Sequence, residues 1–208
     1  RMRGINQVQV NNKAGMTFAA ALRSILRADP DVVLIGEIRD QETANIAIEA
    51  SLTGHLVLST LHTNDAPSAV TRLTEMGVEP FLLSSSLAAV MAQRLARRLC
   101  KKCKRQDTAT EAELRTLGVP HMPDTPLPTI WRPVGCRECA NTGYSGRVAI
   151  QQVMGVDSTM EDLIARGATS IDIDKAAKEQ GMTTLRKDGW QKALQGITSV
   201  EEVLRVTV

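Results

Sequence analysis

Two kinds of residue in this 208-residue chain have the type and spacing to do chemistry. The first is a set of four cysteines arranged as Cys100-x2-Cys103 and Cys136-x2-Cys139, with 32 residues between the pairs. Two CxxC knuckles can supply four thiolates to a closed tetrahedral Zn2+ site, which leaves no open position for catalysis. Cations crowd the first knuckle: Arg94, Arg97, Arg98, Lys101, Lys102, Lys104 and Arg105. A four-thiolate zinc centre carries net negative charge, so nearby cations favour it. The same residues could instead form a phosphate-binding patch for lipid headgroups or nucleic acid, but the local role beside the thiolates is the favoured reading.

The second is the run Val32-Val33-Leu34-Ile35-Gly36-Glu37, four strand formers followed by a glycine and an acid. Open α/β sheets bind ligands beyond the carboxyl ends of their strands. A carboxylate delivered there can hold Mg2+ through water, or orient and deprotonate an attacking water. Gly36, lacking a side chain, lets another group approach the backbone. The string Ser59-Thr60-Leu61-His62-Thr63 ends the next expected strand and puts hydroxyls and an imidazole at the same edge. There they could sense a γ-phosphate. His55 lies at the other end of that strand, up to ~23 Å from His62 if the segment is extended, and reads equally as a structural or interface histidine. Arg23 and Arg27, four apart on one helix face, and Arg39 flank the site. They are either a solvated basic face or arginines that stabilise phosphate at a subunit junction.

These groups need a scaffold, and the pattern predicts one. Gly4 to Val10 suggests a strand. Thr17 can cap a helix through about Ala28, and Val32 to Ile35 reads as a strand buried on both faces. A helix over Gln41–Ser51, a buried strand from Leu56, a helix capped by Asp65 and a longer one over Pro80–Leu99 follow. This β-α-β-α order implies a parallel α/β sheet. Residues 100–145 hold all the cysteines and one short helix, Glu111–Leu117. Gly146–Met154 returns as a strand, and short helices fill 157–208. The expected division is 1–99 for the α/β core, 100–145 for the metal excursion and 146–208 for a strand and helical tail.

Composition excludes some functions. Aromatic residues are 2% of the chain, so a stacking surface for single-stranded nucleic acid is not expected. A net charge of +2 is too small for a nucleic-acid footprint. No apolar run reaches the ~18 residues of a membrane span. The opening Arg1-Met2-Arg3 suggests a piece of a longer protein.

The strings GINQVQVN, LRSILRADPDVVLIGEIRD, TGHLVLSTLHTNDA, MAQRLARRLCKKC and GMTTLRKDGWQKALQGITSVEEVLRV together resemble the ATPases of bacterial type II secretion and type IV pilus assembly. The resemblance implies a RecA-like parallel-sheet core with a small zinc subdomain and a C-terminal helical subdomain. It implies a homohexameric motor that uses ATP and Mg2+ at the cytoplasmic face of the inner membrane, partnered by inner-membrane platform proteins and not by nucleic acid. On that pattern Gly36-Glu37 ends the Walker B strand, and His55 to His62 span a histidine box. Glu37, His62 and Arg39 then serve catalysis, while Arg23, Arg27, Arg72, Gly36 and His55 serve the nucleotide site or subunit interface. Cys100, Cys103, Cys136 and Cys139 match the zinc subdomain of the secretion and pilus-extension branch, which disfavours retraction. One departure is plain: no GxxxxGK[ST] loop occurs. The expectation is a C-terminal fragment, inactive alone. The other open reading is a non-catalytic module that docks on the machinery through its zinc subdomain and tail.

Overall fold

Thr17 begins the first helix by accepting the Ala20 N–H on its hydroxyl, as its position before an apolar run predicts. The computed structural model describes residues 3–207. In chain order they form α1 (Phe18–Leu26), β1 (Val32–Ile35), α2 (Gln41–Leu52), β2 (Leu56–Ser59), α3 (Pro67–Glu75) and α4 (Pro80–Ser86). Then come β3 (Ala89–Leu99), β4 (Arg105–Thr108), α5 (Glu111–Leu117), β5 (Thr129–Arg132) and β6 (Tyr144–Gly155). The tail is α6 (Ser158–Ala165), α7 (Ser170–Glu179), α8 (Leu185–Leu194) and α9 (Val200–Val206). The chain divides into two compact units. One runs up to Val90 and adds Gly155–Ala176; the other comprises Met91–Met154 and the chain from Ala177 onward.

In the first unit β1 and β2 pair in parallel, Val32 opposite Leu56 and Ile35 opposite Ser59. Asp40 caps α2 by accepting the Thr43 N–H, and α2 packs on α1 and α4. Val33 and Ile35 point inward, whereas Val32 and Leu34 are exposed, as are Leu56 and Leu58 on β2. The expectation of strands buried on both faces is therefore corrected: the alternate residues of β1 meet no covering layer among the described residues. Leu83, Met160, Ile164 and Ile173 are buried where α4, α6 and α7 contribute to this unit's core.

Two further expectations fail. Gly4–Val10 is not a strand; among the described residues the nearby pairing is a lone bridge between Asn11 and Met16, and an extended segment with no partner forms no ladder. The helix expected over Pro80–Leu99 stops at Ser86. The hydroxyls of Ser84, Ser85 and Ser86 turn back onto the carbonyls of Phe81 and Leu82. Such local bonding weakens helix continuation. Leu87 is extended, and the following residues become β3, which pairs with β6.

In the second unit the antiparallel β4–β5 pair carries Arg132. Its guanidinium binds Glu113 of α5, Asp107 of β4 at 2.9 Å and Glu201 of α9 at 2.8 Å. One cation thus fastens three elements. Glu202 of α9 is 1% exposed and makes a second network. It accepts from the Arg97 backbone N–H at 2.8 Å, from the Arg97 guanidinium at 2.6 Å and from Arg205 at 2.8 Å. Arg97 also lies 4.1 Å from the centre of the Tyr144 ring. Tyr144, Trp131 and Trp190 all belong to this unit.

Burial alone would raise the Glu202 pKa, but the two guanidiniums and the Arg97 N–H overrule it and hold it at about 2. The unfolded value is the ordinary 4.5, so the ionised folded form is the favoured one. This stabilisation is fully present above pH ~4.5 and is lost as pH falls toward 2. Glu202→Gln should therefore lower the urea midpoint of this unit at pH 7. The gap between wild type and variant should close as pH drops from about 4.5 to 2.5. A gap independent of pH would refute the assignment.

Candidate functional site

The parallel register of β1 and β2 brings their carboxyl ends together, so the residues that follow each strand share one edge. Glu37 follows β1 and is 22% exposed. The Arg39 Nε lies 2.7 Å from Glu37 Oε2, and His62 Nε2, from the segment after β2, lies 3.3 Å from the same oxygen. The Arg39 hydrogen bond is the main influence that holds the Glu37 carboxyl below its usual range; partial burial opposes it and His62 assists. Glu37 is thus an anion at neutral pH with two basic groups on it. Arg39 and His62 are largely exposed, so both can exchange this partner for another anion.

Gly36 directly precedes Glu37, and the remaining sequence candidates make other contacts. Arg23 of α1 pairs with Glu42 of α2 at 2.7 Å. Arg27 ends α1 and is exposed. Arg72 of α3 meets Glu75 one turn on, at 3.4 Å. His55 precedes β2 and turns its Nδ1 to the Ala50 carbonyl at 3.0 Å and the Thr53 hydroxyl at 3.2 Å. Gly36 sits 3.7 Å from the Phe18 ring at the position a Cβ would take, which is ordinary contact. Ser59 and Thr60, considered as phosphate sensors, instead donate to the carbonyls of Ile35 and Gly36.

The four cysteines converge. Their sulfurs all lie within 4.8 Å of one another. Cys100–Cys136 and Cys103–Cys139 are 3.9 Å apart, and Cys136–Cys139 3.8 Å. A tetrahedral ion with thiolate bonds of ~2.3 Å has edges of ~3.8 Å, so the cluster has the size to hold a metal. Backbone N–H groups point at the sulfurs, as thiolates require: Gly135 onto Cys103 at 3.3 Å, Cys136 and Gly143 onto Cys139 at 3.2 Å each. Burial opposes ionisation of both Cys139 and Cys103: two N–H donors and the neighbouring Cys136 and Cys103 thiols draw Cys139 down to about 6, whereas burial pushes Cys103 up to about 11. Gly143 adopts a φ of 78°, and a Cβ there would come 2.5 Å from Pro133, so the tight approach of this loop needs glycine.

Two of the basic residues near the first knuckle are engaged within the fold. Arg97 is committed to Glu202. Lys104 donates to the Gly196 carbonyl at 2.7 Å and lies 4.4 Å from the centre of the Trp131 ring. Lys101, Lys102, Arg98 and Arg105 are exposed. Sequence reasoning missed the Lys104–Trp131 and Glu202 contacts because both join residues about 100 positions or 27 positions apart with no local signal.

Residues 1–205 match the family model described as type II/IV secretion system protein. The chain belongs to that family. It is 55% identical over 206 residues to type II secretion system protein E of Pseudomonas aeruginosa, covering 99% of this chain and 40% of the relative. It is 52% identical over 205 residues to the type IV pilus assembly ATPase PilB of Thermus thermophilus, covering 99% of this chain and 23% of the relative. The chain thus spans well under half the length of these family members. Among solved structures, the pilus retraction motor PilT with bound ADP shares the fold, with a TM-score of 0.63 at 24% identity over 91% of this chain and 43% of that one. The Legionella pneumophila ATPase DotB does so with a TM-score of 0.61 at 21% identity, over 91% and 42%. Among the described residues no helix is long and apolar enough to cross a membrane.

Proposed function

We propose that this chain is part of a homohexameric ATPase that drives type II secretion or type IV pilus extension from the cytoplasmic face of the inner membrane, against inner-membrane platform proteins. The observation that carries the reading is the meeting of Glu37, Arg39 and His62 at the carboxyl ends of two parallel strands. The names of the 52–55% identical relatives support it. In this reading residues 1–99 supply a RecA-like core, 100–145 a zinc subdomain and 146–208 a strand and helical subdomain, although the compact units exchange two segments across those bounds: residues 91–99 lie with the cysteines and Gly155–Ala176 with the β1–β2 core. Nucleic acid is not a partner.

Bound ATP and Mg2+ supply the scissile phosphoanhydride and the cation that neutralises its charge. Glu37 acts on the attacking water, as its base or by holding the metal's water shell. Arg39 and His62 turn from Glu37 toward developing phosphate charge. Arg23, Arg27 and Arg72, with Gly36 and His55, serve the nucleotide site and the junction between subunits. The exposed pairs Arg23–Glu42 and Arg72–Glu75 cost little to break, since exposed ion pairs contribute ~0–1 kcal/mol. The cysteines hold structural Zn2+, for which four thiolates are the usual donor set.

The chain itself should bind MgATP poorly. It lacks the loop whose N–H groups and lysine cradle the phosphates. Each missing charge-assisted bond is worth ~1.5–3 kcal/mol, and ~1.4 kcal/mol is tenfold in affinity. Calorimetry of this chain should show no micromolar binding, while the full-length protein binds. A clear micromolar isotherm for the chain alone would overturn this account.

A further inference from the structure

We propose that Thr60 is a positioning residue for Glu37, its hydroxyl clamping the peptide that leads into the carboxylate onto the segment that leads to His62. The proposal rests on the reading of Glu37 as the functional carboxylate.

The regular ladder of β1 and β2 ends at the pair Ile35–Ser59. Beyond it, both chains must leave the sheet, and Glu37 and His62 sit on those departing segments. Three bonds reinforce the last pair and carry the pairing beyond it. Ser59 Oγ donates to the Ile35 carbonyl at 3.2 Å. Thr60 Oγ1 donates to the Gly36 carbonyl at 2.8 Å. The Thr60 carbonyl accepts the Ile38 N–H at 3.1 Å. Thr60 therefore brackets Glu37, holding the residue before it by a side chain and the residue after it by the backbone.

The bracket matters because of what it restrains. Gly36 has no side chain to anchor and more backbone freedom than any other residue. Its neighbour Phe18 makes only ordinary van der Waals contact with the space a Cβ would fill. The Thr60 hydroxyl is the side-chain restraint on the Gly36 peptide, and rotation of that peptide would swing the Glu37 side chain. Threonine suits the task, because its branched Cβ limits χ1 and holds the hydroxyl in place. The hydroxyl is already engaged with a backbone carbonyl, so it acts through Glu37 and not on a ligand. A displacement near ~1 Å at a reacting group can cost ~10²-fold in rate.

The test compares Thr60→Val, Thr60→Ala and Thr60→Ser in the full-length protein, with Glu37→Gln alongside. Val and Ala should lower kcat by about tenfold or more and leave KM for ATP within about twofold, because uniform binding is untouched. Ser keeps the hydroxyl and should restore kcat. In the present chain, amide exchange of Ile38 should quicken with Val and Ala and return with Ser. Unchanged kcat in a folded Val or Ala variant overturns the proposal, whether or not Ile38 exchange changes. A raised KM with normal kcat also overturns it, since that would place the hydroxyl on the nucleotide. Normal turnover by Glu37→Gln would instead refute the reading of the site. A dead Glu37→Gln beside a normal Thr60→Val refutes the Thr60 role alone.

Discussion

Glutamine at position 37 of the full-length protein should leave nucleotide binding nearly intact and cut ATP turnover by ~10²-fold or more. The amide nearly matches the carboxylate in shape but can neither take a proton nor carry negative charge. Arg39 and His62, which share Glu37 Oε2 in the resting arrangement, lose the anion that holds them. Because Arg39 keeps the Glu37 pKa below the usual carboxylate range, the carboxylate is fully ionised at neutral pH. The folded group is then protonated only below the ordinary range, so Glu37 should impose no loss of activity between pH 6 and 8. Steady-state hydrolysis measured beside nucleotide affinity decides the matter. Near-normal turnover by the variant would remove both roles given to the carboxylate.

Loss of one thiolate should have the largest effect on structure. Purified protein is expected to carry about one zinc per chain. Cys136→Ser should abolish tight binding and loosen residues 100–145 first. That segment supplies few buried side chains, among them Leu114, Leu117 and Ile130, and the metal substitutes for a core there. The damage should spread to the α8–α9 turn. Lys104, directly after Cys103, is lodged between the Trp131 ring and the Gly196 carbonyl, and Leu99 donates to the Ile197 carbonyl at 2.9 Å. Gly196 has a φ of 65°, and a Cβ there would lie 2.5 Å from Trp131, so this turn has no slack. The β1–β2 unit should retain its helices. Metal content well below one equivalent, with four freely titratable thiols, would refute the site.

What the sequence disclosed follows physical lines. Caps and strand-end motifs are local, so Thr17 and the Val32–Ile35 run were legible, and Glu37 with His62 followed once the two strands were taken as parallel. The convergence of the four cysteines was equally legible, because each CxxC spacing keeps its two sulfurs close. The segment Ala89–Leu99 misled for a definite reason. It is rich in Ala, Leu, Gln and Arg, good helix formers, and its buried residues Ala92, Ala96 and Leu99 fall at helical intervals. Pairing with β6, about 55 residues away, overrides that preference, as sheet context commonly does. Strands β4 and β5 went unseen because Arg105–Thr108 is polar throughout and exposed, leaving no alternation to read. The exposure of Val32 and Leu34 was hidden for the opposite reason: an apolar run announces what a strand would bury, not which face has a cover. Thr60 stood in a motif already noticed, but only coordinates reveal that its hydroxyl points to a backbone carbonyl.

The placement of the aromatic residues has an optical consequence. Trp131, Trp190 and Tyr144 all belong to the unit that holds the cysteines, while the unit with Glu37 has Phe18 and Phe81 alone. Excitation at long ultraviolet wavelengths therefore interrogates one half of the chain and is silent on the other. Emission tracks the cysteine-bearing half, and helical circular dichroism sums both, so the difference between two melting curves isolates the half that carries Glu37 without any attached dye.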